Sequence, residues 1–232
     1  MRSILRFVVG SFFDRFGFVL SKKVKEPFES LGSRIHGSLV ERAGGVLHIG
    51  AHKGQEAEFY NRHSASVLWI EANPELYKLL NGQLAKFSNQ KAMLALLGDE
   101  DKESVPFHVS SNNALSSSIY EFGSELGWEN LSMTSTLNLP MVRLDSILSD
   151  TDASNFPHWV LDVQGSELNV LKGSGTLLRQ CLSIYTEVST REVYKGGVLF
   201  QELKEFLNNN GFIELWNPMK MSHEDVMFVK VR

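Results

Sequence analysis

The sequence has little of what several classes of protein depend on. Its 232 residues contain one cysteine, Cys181, so an intramolecular disulfide is excluded and a reducing compartment is indicated. The net charge is −4, so the chain as a whole has no excess of basic residues for nucleic-acid binding. Its apolar run Phe7–Phe13 is interrupted by Asp14 and falls far short of the ~20 residues that a membrane-spanning helix needs. We therefore expect a cytoplasmic protein without a nucleic-acid partner.

Charge is unevenly distributed, because residues 1–25 are basic and the rest of the chain is acidic. Residues 1–25 hold six lysines and arginines and one acidic residue. No small-residue cleavage site follows them, so a secretory signal is not expected. They suit an amphipathic helix, either lying on a membrane surface as a peripheral contact or packed on its own domain or on a partner subunit of a homo-oligomer. We predict an N-terminal helical extension over residues 1–40 and one domain over residues 41–232.

The stretch Gly45–Tyr60 has the pattern of a buried strand, a small-residue turn and a helix. A short apolar run is broken by Gly50 and Gly54 and is followed by good helix formers. Such a turn brings backbone N–H groups and the positive end of a helix together, and nucleotide-like ligands bind there in doubly wound sheets. Glu71 follows Gly50 by 21 residues, at the end of a second apolar run. An acidic residue at that distance holds ribose hydroxyls in such folds, so we predict a nucleotide-like site.

Apolar strands alternate with helical patterns along the rest of the chain. We predict helices over residues 30–41, 75–86, 167–178 and 200–208, and strands over 92–97, 107–109, 158–163, 183–188, 212–216 and 226–231. This interval favours βαβ units and a mostly parallel, doubly wound α/β sheet. The last two strands are too close in sequence for a crossover helix, so we expect them to pair antiparallel.

Residues 110–139 are rich in serine and asparagine and show no clear period. We expect a long polar loop, and long loops in compact domains are commonly functional. Two interpretations of the serines Ser116, Ser117 and Ser118 stay open. Their hydroxyl groups bind a cofactor or a polyhydroxylated acceptor, or they belong to a flexible polar loop.

Several segments together resemble the FkbM family of S-adenosylmethionine-dependent methyltransferases. They are HIGAHKGQE (48–56), WIEANPELYKLL (69–80), LALLGDED (94–101), VRLDSIL (142–148), VLDVQGSELNVLKG (160–173), IYTEVS (184–189), EVYKGG (192–197) and FQELKEFLNNNGF (200–212). They span most of residues 44–231, and DVQGSELNVLKG is the most specific of them. The chain departs from the family pattern at His48 and His52, where the first motif usually has Asp and Asn.

The resemblance implies a class I methyltransferase fold, which is Rossmann-like and has a mostly parallel sheet with an antiparallel last strand. It implies S-adenosylmethionine as the cofactor and transfer of a methyl group to an acceptor hydroxyl. The acceptor that it suggests is a sugar of a glycan, of a lipid-linked saccharide or of a glycosylated metabolite.

The residues that the resemblance implies in cofactor binding lie in the matching segments. Glu71 would hold the ribose diol, Asp99 would accept a hydrogen bond from the adenine amine, and Asp162 would lie near the amino group of the cofactor or the reacting methyl. The full set is His48, Gly50, Ala51, His52, Gly54, Glu71, Ala72, Asn73, Leu97, Gly98, Asp99, Ser117, Asp162 and Gln164.

The candidates for catalysis are Asp162, His52 and Glu187, and those for acceptor binding are Gln164, Gly165, Glu187 and Tyr194. Histidine titrates near neutral pH, which suits His52 to general-base catalysis. The spacing of four between His48, His52 and Glu56 would form a metal site only on a continuous helix, whereas His48 lies in a predicted strand. We therefore predict no metal ion.

Two other functions fit the same fold. A nicotinamide-dependent oxidoreductase or epimerase would carry a Tyr/Lys pair near its cofactor, but Tyr194 and Lys195 are adjacent and not four residues apart on a helix. A non-catalytic binding protein would keep the fold without the transfer activity.

Overall fold

The computed structural model of the chain describes residues 30–124, 130–218 and 223–231. The basic residues 1–25 lie outside these ranges, and so do both hypotheses about them. Within the described ranges, no helix is both long enough and apolar enough to cross a bilayer.

The described residues form a layered α/β domain with two sheets. Its strands are β1 Gly45–Ile49, β2 Ser66–Glu71, β3 Gln90–Leu94, β4 Leu96–Leu97, β5 Lys102–Ser110, β6 Met133–Val142, β7 His158–Leu161, β8 Ser183–Ser189, β9 Phe212–Trp216 and β10 His223–Lys230. Its helices are α1 Leu31–Ala43, α2 Ala57–Arg62, α3 Pro74–Leu84, α4 Leu144–Ile147, α5 Asp150–Ser154, α6 Glu167–Gly173 and α7 Phe200–Asn209, with a 3-10 turn at Gly175–Arg179.

The main sheet has the strand order β3-β2-β1-β7-β8-β10-β9. Its first five strands are parallel, and β10 is antiparallel to both of its neighbours. The predicted doubly wound sheet with an antiparallel closing hairpin is therefore confirmed.

Helices cover both faces of the main sheet, because its central strands are apolar on both sides. In β1, Leu47 and Ile49 pack in a core with residues of α6 and α7, while Val46 packs in a second core with residues of α2 and α3. Strands β1 and β7 are buried along their whole length. The strand ends at the centre of the sheet are thus held in fixed positions by packing from both sides.

Helix α1 packs against the face of the sheet formed by β8 and β10. Its first turn is capped by Ser30, whose hydroxyl accepts from the backbone N–H of Ser33, and it ends at Gly44 in a left-handed conformation. Ile35 and Leu39 pack with apolar residues of β10. The helix runs across residue 40, the predicted domain boundary.

A second sheet of three strands, in the order β4-β6-β5, departs from the prediction. The predicted strand 92–97 is divided at Ala95 between the two sheets. The predicted edge strand 107–109 lies within the longer β5, and β6 occupies part of the predicted loop. Only one face of β6 is covered. Leu137 and Leu139 on that face are half-buried, while the residues that alternate with them are exposed. Because that open face carries polar residues, the strand is hard to recognise from sequence within a serine-rich region.

Candidate active site

A cavity opens at the edge of the main sheet where β1, β2 and β7 end. Ile49 lies in register with Ile70 on one side and with Leu161 on the other, so the three strands end side by side. The cavity has a volume of about 800 Å³ including its open mouth. The predicted site residues that border it are His48, Gly50, Ala51, His52, Glu71, Ala72, Leu97, Ser117, Asp162 and Gln164.

Gly50 makes the turn after β1 possible. Its φ is 87°, and a Cβ built there would lie 1.8 Å from the carbonyl oxygen of Asp162. The backbone N–H of Asp162 in turn donates to the carbonyl of Ile49 at 3.0 Å. A side chain at position 50 would therefore separate the turn after β1 from the turn after β7.

Glu71 is held by the backbone at the end of β2. Its Oε2 accepts from the N–H of His52 at 2.7 Å, and its Oε1 accepts from the N–H of Asn73 at 2.7 Å. Burial raises the pKa of Glu71, although these two hydrogen bonds act against the increase. A carboxylate offers about four acceptor positions, so each oxygen keeps one for a hydroxyl pair such as a ribose diol.

His52 connects the turn after β1 to the serine-rich segment. The side-chain amide of Gln55 lies 2.9 Å from Nδ1, and the carbonyl of Asn113 lies 2.9 Å from Nε2. These partners select the tautomer in which Nδ1 accepts and Nε2–H donates. To act as a proton acceptor at Nδ1, His52 would first have to lose the hydrogen bond from Gln55.

The ring of His48 lies on the side of the sheet covered by α2. It stacks on Trp69 with 4.5 Å between ring centroids, and its Nδ1 lies 2.9 Å from the hydroxyl of Tyr60. Burial, with a smaller contribution from His36, lowers the pKa of His48 to about 3, so the ring is neutral. Histidine at this position therefore contributes packing and a hydrogen bond inside the core, and His48 borders the cavity at the strand end.

The serine-rich segment 110–118 is braced by its own hydroxyl groups. Ser117 accepts from the N–H of Ser110 at 3.1 Å and donates to the carbonyl of Ala114 at 2.8 Å. Ser118 donates to the carbonyl of Gln164 at 2.7 Å. The hydrogen-bonding capacity of these serines is thus used largely within the protein. The segment presents Ala114 and Leu115 to the cavity.

Apolar residues form the wall next to β4. Leu96, Leu97 and Phe107 border the cavity there. The described lining does not include Gly98 or Asp99, which were predicted to contact adenine. A Cβ at Gly98 would lie 2.2 Å from the sulfur of Met141, so this glycine permits close packing with β6.

Arg143, which was not among the predicted site residues, holds the backbone next to β4 at Asp99. Its guanidinium donates to the backbone carbonyl of Asp99 at 2.9 Å and forms a bidentate pair with Asp145. Its backbone N–H donates to Asp101 at 2.7 Å. The alternation of Arg143 and Asp145 in the motif VRLDSIL is the signal that could have indicated this pair.

Asp162 follows β7 and borders the cavity. Asp162 is exposed at the cavity, and only the part of its carboxyl group that packs against protein is shielded from water. Burial and the neighbouring charge of Glu187 raise the pKa of Asp162 well above the usual range. Water in the open cavity also solvates the carboxylate, so the increase is greatest when a ligand displaces that water. A carboxylate with a raised pKa is suited to accept a proton.

The other predicted acceptor residues lie behind Gln164. The described lining of the cavity does not include Gly165, Glu187 or Tyr194, and the same holds for the cofactor candidates Gly54 and Asn73. Tyr194 is buried against Gly165, where a Cβ would lie 3.1 Å from the tyrosine ring. Gly54 likewise leaves no room for a Cβ, because it packs closely against α3. Asn73 caps α3 by accepting from the N–H of Glu75 at 3.0 Å.

His223 is a second residue that the sequence analysis missed. Its Nε2 lies 2.6 Å from Oε1 of Glu187, and its Nδ1 lies 2.6 Å from the hydroxyl of Ser189. Burial lowers the pKa of His223, but the bond to Glu187 outweighs this and the pKa is raised overall. No signal in the sequence brings His223 to Glu187, because the contact depends on the antiparallel pairing of β10 with β8.

The family model for the FkbM methyltransferase domain matches residues 48–214. A curated relative is 2-O-methyltransferase NoeI of Sinorhizobium fredii, which is 24% identical over 197 residues that cover 79% of this chain and 80% of NoeI. A similar solved structure is that of Streptococcus pneumoniae Sp1610, a candidate tRNA (m1A22) methyltransferase, with a TM-score of 0.50, 11% identity and coverage of 88% of this chain and 71% of that chain. TrmK of M. capricolum, solved with S-adenosyl-homocysteine, has a TM-score of 0.46, 6% identity and coverage of 88% and 70%.

The family match covers most of the chain, and the Sp1610 structure has a similar fold. The predicted family, fold and cofactor are thereby confirmed, and the protein is a methyltransferase that uses S-adenosylmethionine. The site fits that cofactor, since Glu71 keeps acceptor positions for a diol beside an apolar wall for a base and a carboxylate at Asp162. The chain belongs to the FkbM family of methyltransferases.

Proposed function

We propose that this methyltransferase methylates a hydroxyl oxygen of a sugar, in a glycan, a lipid-linked saccharide or a glycosylated metabolite. One observation carries the proposal: a single cavity brings the turn of Gly50, the carboxylate of Glu71 and the carboxylate of Asp162 together. The relation to a protein named 2-O-methyltransferase supports oxygen as the methylated atom.

Different residues along the cavity bind different parts of the cofactor. Glu71 holds the ribose hydroxyls, and Leu96, Leu97 and Phe107 pack on the adenine. When bound, S-adenosylmethionine supplies a methyl group, which passes from its sulfur to the acceptor oxygen. The protein therefore has to position the acceptor and remove its proton, and positioning alone contributes about 7–11 kcal/mol in well-oriented reactions.

Asp162 is the residue to which we assign the acceptor proton. It borders the cavity, and its pKa is raised by burial and by Glu187, which suits a general base. Glu187 and Gln164 support it from the acceptor side. His52 is less suited to this role, because both of its ring nitrogens already have partners.

The acidic character of this region favours a neutral acceptor over a nucleic acid. Asp162, Glu187 and Asp225 lie close enough to influence one another's charge. Phosphate groups bind where lysine and arginine neutralise them, and carboxylates repel them. We therefore expect a polyhydroxylated, uncharged acceptor, whose hydroxyl groups donate hydrogen bonds to carboxylates.

The test combines binding with transfer. Calorimetry should show binding of S-adenosylmethionine and no binding of NAD. A panel of glycans, sugar phosphates and tRNA is then incubated with the protein and methyl-labelled cofactor, and we expect label on uncharged glycans. Asp162→Asn should lower transfer about 100-fold or more, the range for loss of a general base, whereas the exposed Glu58→Gln should not. Label on tRNA alone, or full activity of Asp162→Asn, would contradict the proposal.

Residues 1–25 carry a separate hypothesis of peripheral membrane contact. Their lysines and arginines suit anionic headgroups, and a lipid-linked acceptor would then lie at the same surface. Sedimentation with anionic vesicles compares the full chain with a variant carrying Lys22→Gln, Lys23→Gln and Lys25→Gln. Weaker sedimentation of the variant supports membrane contact, and equal sedimentation supports packing on protein.

A further inference from the structure

Gln164 lies in the turn between β7 and α6 and is in contact with two carboxylates. Its side-chain amide nitrogen donates to Oδ1 of Asp162 and, at 2.6 Å, to Oε2 of Glu187. Its φ is 55°, a left-handed conformation that costs energy for any residue with a Cβ. Strain of this kind persists where the surrounding structure enforces it, commonly at functional sites.

The hydroxyl of Tyr194 is within hydrogen-bonding distance of the side-chain oxygen of Gln164 and, at 3.3 Å, of the carbonyl of Ser116. The tyrosine hydroxyl donates to Oε1 of Gln164, and Tyr194 is 2% exposed. With the amide reversed, its oxygen would face the two carboxylates and its nitrogen would face the hydroxyl. An amide offers two N–H donors and one acceptor oxygen, and the observed orientation uses all of them.

Three acidic residues on other elements lie near Asp162, while β1 packs against it through Ile49 and Gly50. Glu187 on β8, Glu167 on α6 and Asp225 on β10 each add negative charge at Asp162. Two groups offset this charge: the amide of Gln164 and the imidazole of His223, which bonds the other oxygen of Glu187 at 2.6 Å. Among the described residues, Oδ2 of Asp162 has no hydrogen-bond donor, so the oxygen opposite the Gln164 bond is available to a ligand.

We propose that Gln164 is a positioning residue that holds Asp162 and Glu187 as a pair, and that Tyr194 fixes the direction of its amide. Gln164 thereby keeps one oxygen of Asp162 occupied and leaves the other for the ligand in the cavity. The consequence for methyl transfer rests on the proposed function, in which Asp162 accepts the acceptor proton. The arrangement of the pair itself is a property of the ligand-free protein.

The carboxyl carbon of Asp162, followed by 13C NMR across a pH titration of the ligand-free protein, tests the inference directly. Gln164→Asn keeps an amide and tolerates the left-handed backbone, but it is one methylene too short to bond both carboxylates. Because the Gln164 bond stabilises the charged form of Asp162, we expect the pKa of Asp162 to rise by about one pH unit in this variant. Tyr194→Phe should raise it less, since the amide is then able to rotate.

Ser118→Ala is the matched control. Ser118 donates to the backbone carbonyl of Gln164 and leaves its side-chain amide untouched. We expect this variant to lower the melting temperature without changing the pKa of Asp162. A merely structural role for Gln164 predicts the same behaviour for Gln164→Asn, namely lower stability with an unchanged titration.

The outcomes separate this inference from the proposed function. A folded Gln164→Asn protein in which Asp162 titrates as in wild type overturns the role of Gln164. If the titration shifts as expected but Asp162→Asn still transfers methyl groups at the wild-type rate, the inference stands and the assignment of Asp162 as the base fails. A change in Gln164→Asn that Ser118→Ala also shows would assign the effect to the loop and overturn the inference.

Discussion

The turn after β2 and the turn after β7 each present a carboxylate to the same cavity, but the two carboxylates are held in different ways. Glu71 accepts from two backbone N–H groups, which the fold itself places. Asp162 accepts from the side chain of Gln164, which depends in turn on Tyr194. One carboxylate is thus fixed by backbone geometry, and the other is fixed by a few replaceable side chains.

Gly50 connects the two turns, so its substitution is expected to have the largest effect. A Cβ at position 50 would lie 1.8 Å from the carbonyl oxygen of Asp162, and the φ of 87° disfavours any side chain. We expect Gly50→Ala to lower the free energy of unfolding by about 3 kcal/mol or more, measured by urea denaturation. Gly82→Ala is the control, because nothing lies within 4 Å of a Cβ at Gly82, which is in helix α3. Equal stability of the two variants would refute the steric argument.

Buried histidines packed beside the main sheet should make the stability of the protein depend on pH. Burial lowers the pKa of His36 to about 4, and His36 stacks on Tyr185 with 4.2 Å between ring centroids. The unfolded chain binds this proton near pH 6.5, so the stability from neutral His36 is present above pH 6.5 and is lost as the pH falls toward 4. His36→Phe keeps the stacking and removes the titration.

At pH 5 we expect the wild-type protein to have lost about 2 kcal/mol relative to His36→Phe, compared with their difference at pH 7.5. Urea denaturation of both proteins at the two pH values measures this. Because His48 and His158 have lowered pKa values for the same reason, the variant should still lose stability in acid. Parallel pH profiles for wild type and variant would show that His36 is protonated in the folded protein.

Glu71→Gln tests the cofactor end of the comparison. The substitution replaces one carboxylate oxygen by an NH2 group, which cannot accept from the backbone N–H that faces it or from a ribose hydroxyl. We expect the affinity for S-adenosylmethionine to fall about tenfold, measured by calorimetry. The exposed Glu75→Gln nearby should bind as wild type does, since Glu75 pairs with Lys78 at the surface. Unchanged affinity of Glu71→Gln would remove Glu71 from the ribose site.

Ser117→Ala should have the smallest effect, and mainly on stability. The Ser117 hydroxyl bonds the N–H of Ser110 and the carbonyl of Ala114, so its loss removes a brace of the loop. We expect a decrease in the free energy of unfolding of about 1 kcal/mol and little change in cofactor affinity. The exposed Ser104→Ala serves as the control. A larger loss of affinity than of stability would show that the hydroxyl binds cofactor.

The central strands could be predicted from sequence because they are buried on both faces. β1, β2, β7 and β8 are short apolar runs, and Glu71 follows from its distance to Gly50. β6 could not be found in the same way, because only one of its faces is covered and its other face carries polar residues. Its period of two is visible from Thr136 to Met141, so the signal was present but was outweighed by the surrounding serines.

The side-chain partners around Asp162 and Glu187 could not be predicted, because they are tertiary contacts. Gln164 meets Glu187 across 23 residues, and His223 meets Glu187 only through the pairing of β10 with β8. The direction of the His48 ring could not be predicted either, because the sequence does not show which face of β1 carries the even-numbered residues. Backbone-held groups such as Glu71 were therefore easier to predict than groups held by side chains.

The strand order at one side of the main sheet has a consequence for synthesis. β9 joins the sheet only through β10, although β10 is made after it. On the ribosome, β8 therefore keeps an unpaired edge and β9 lacks a neighbouring strand until residues 223–230 have emerged. Open edges are prone to association with other chains. Pairing of β10 with both β8 and β9 therefore completes the sheet and brings His223 to Glu187.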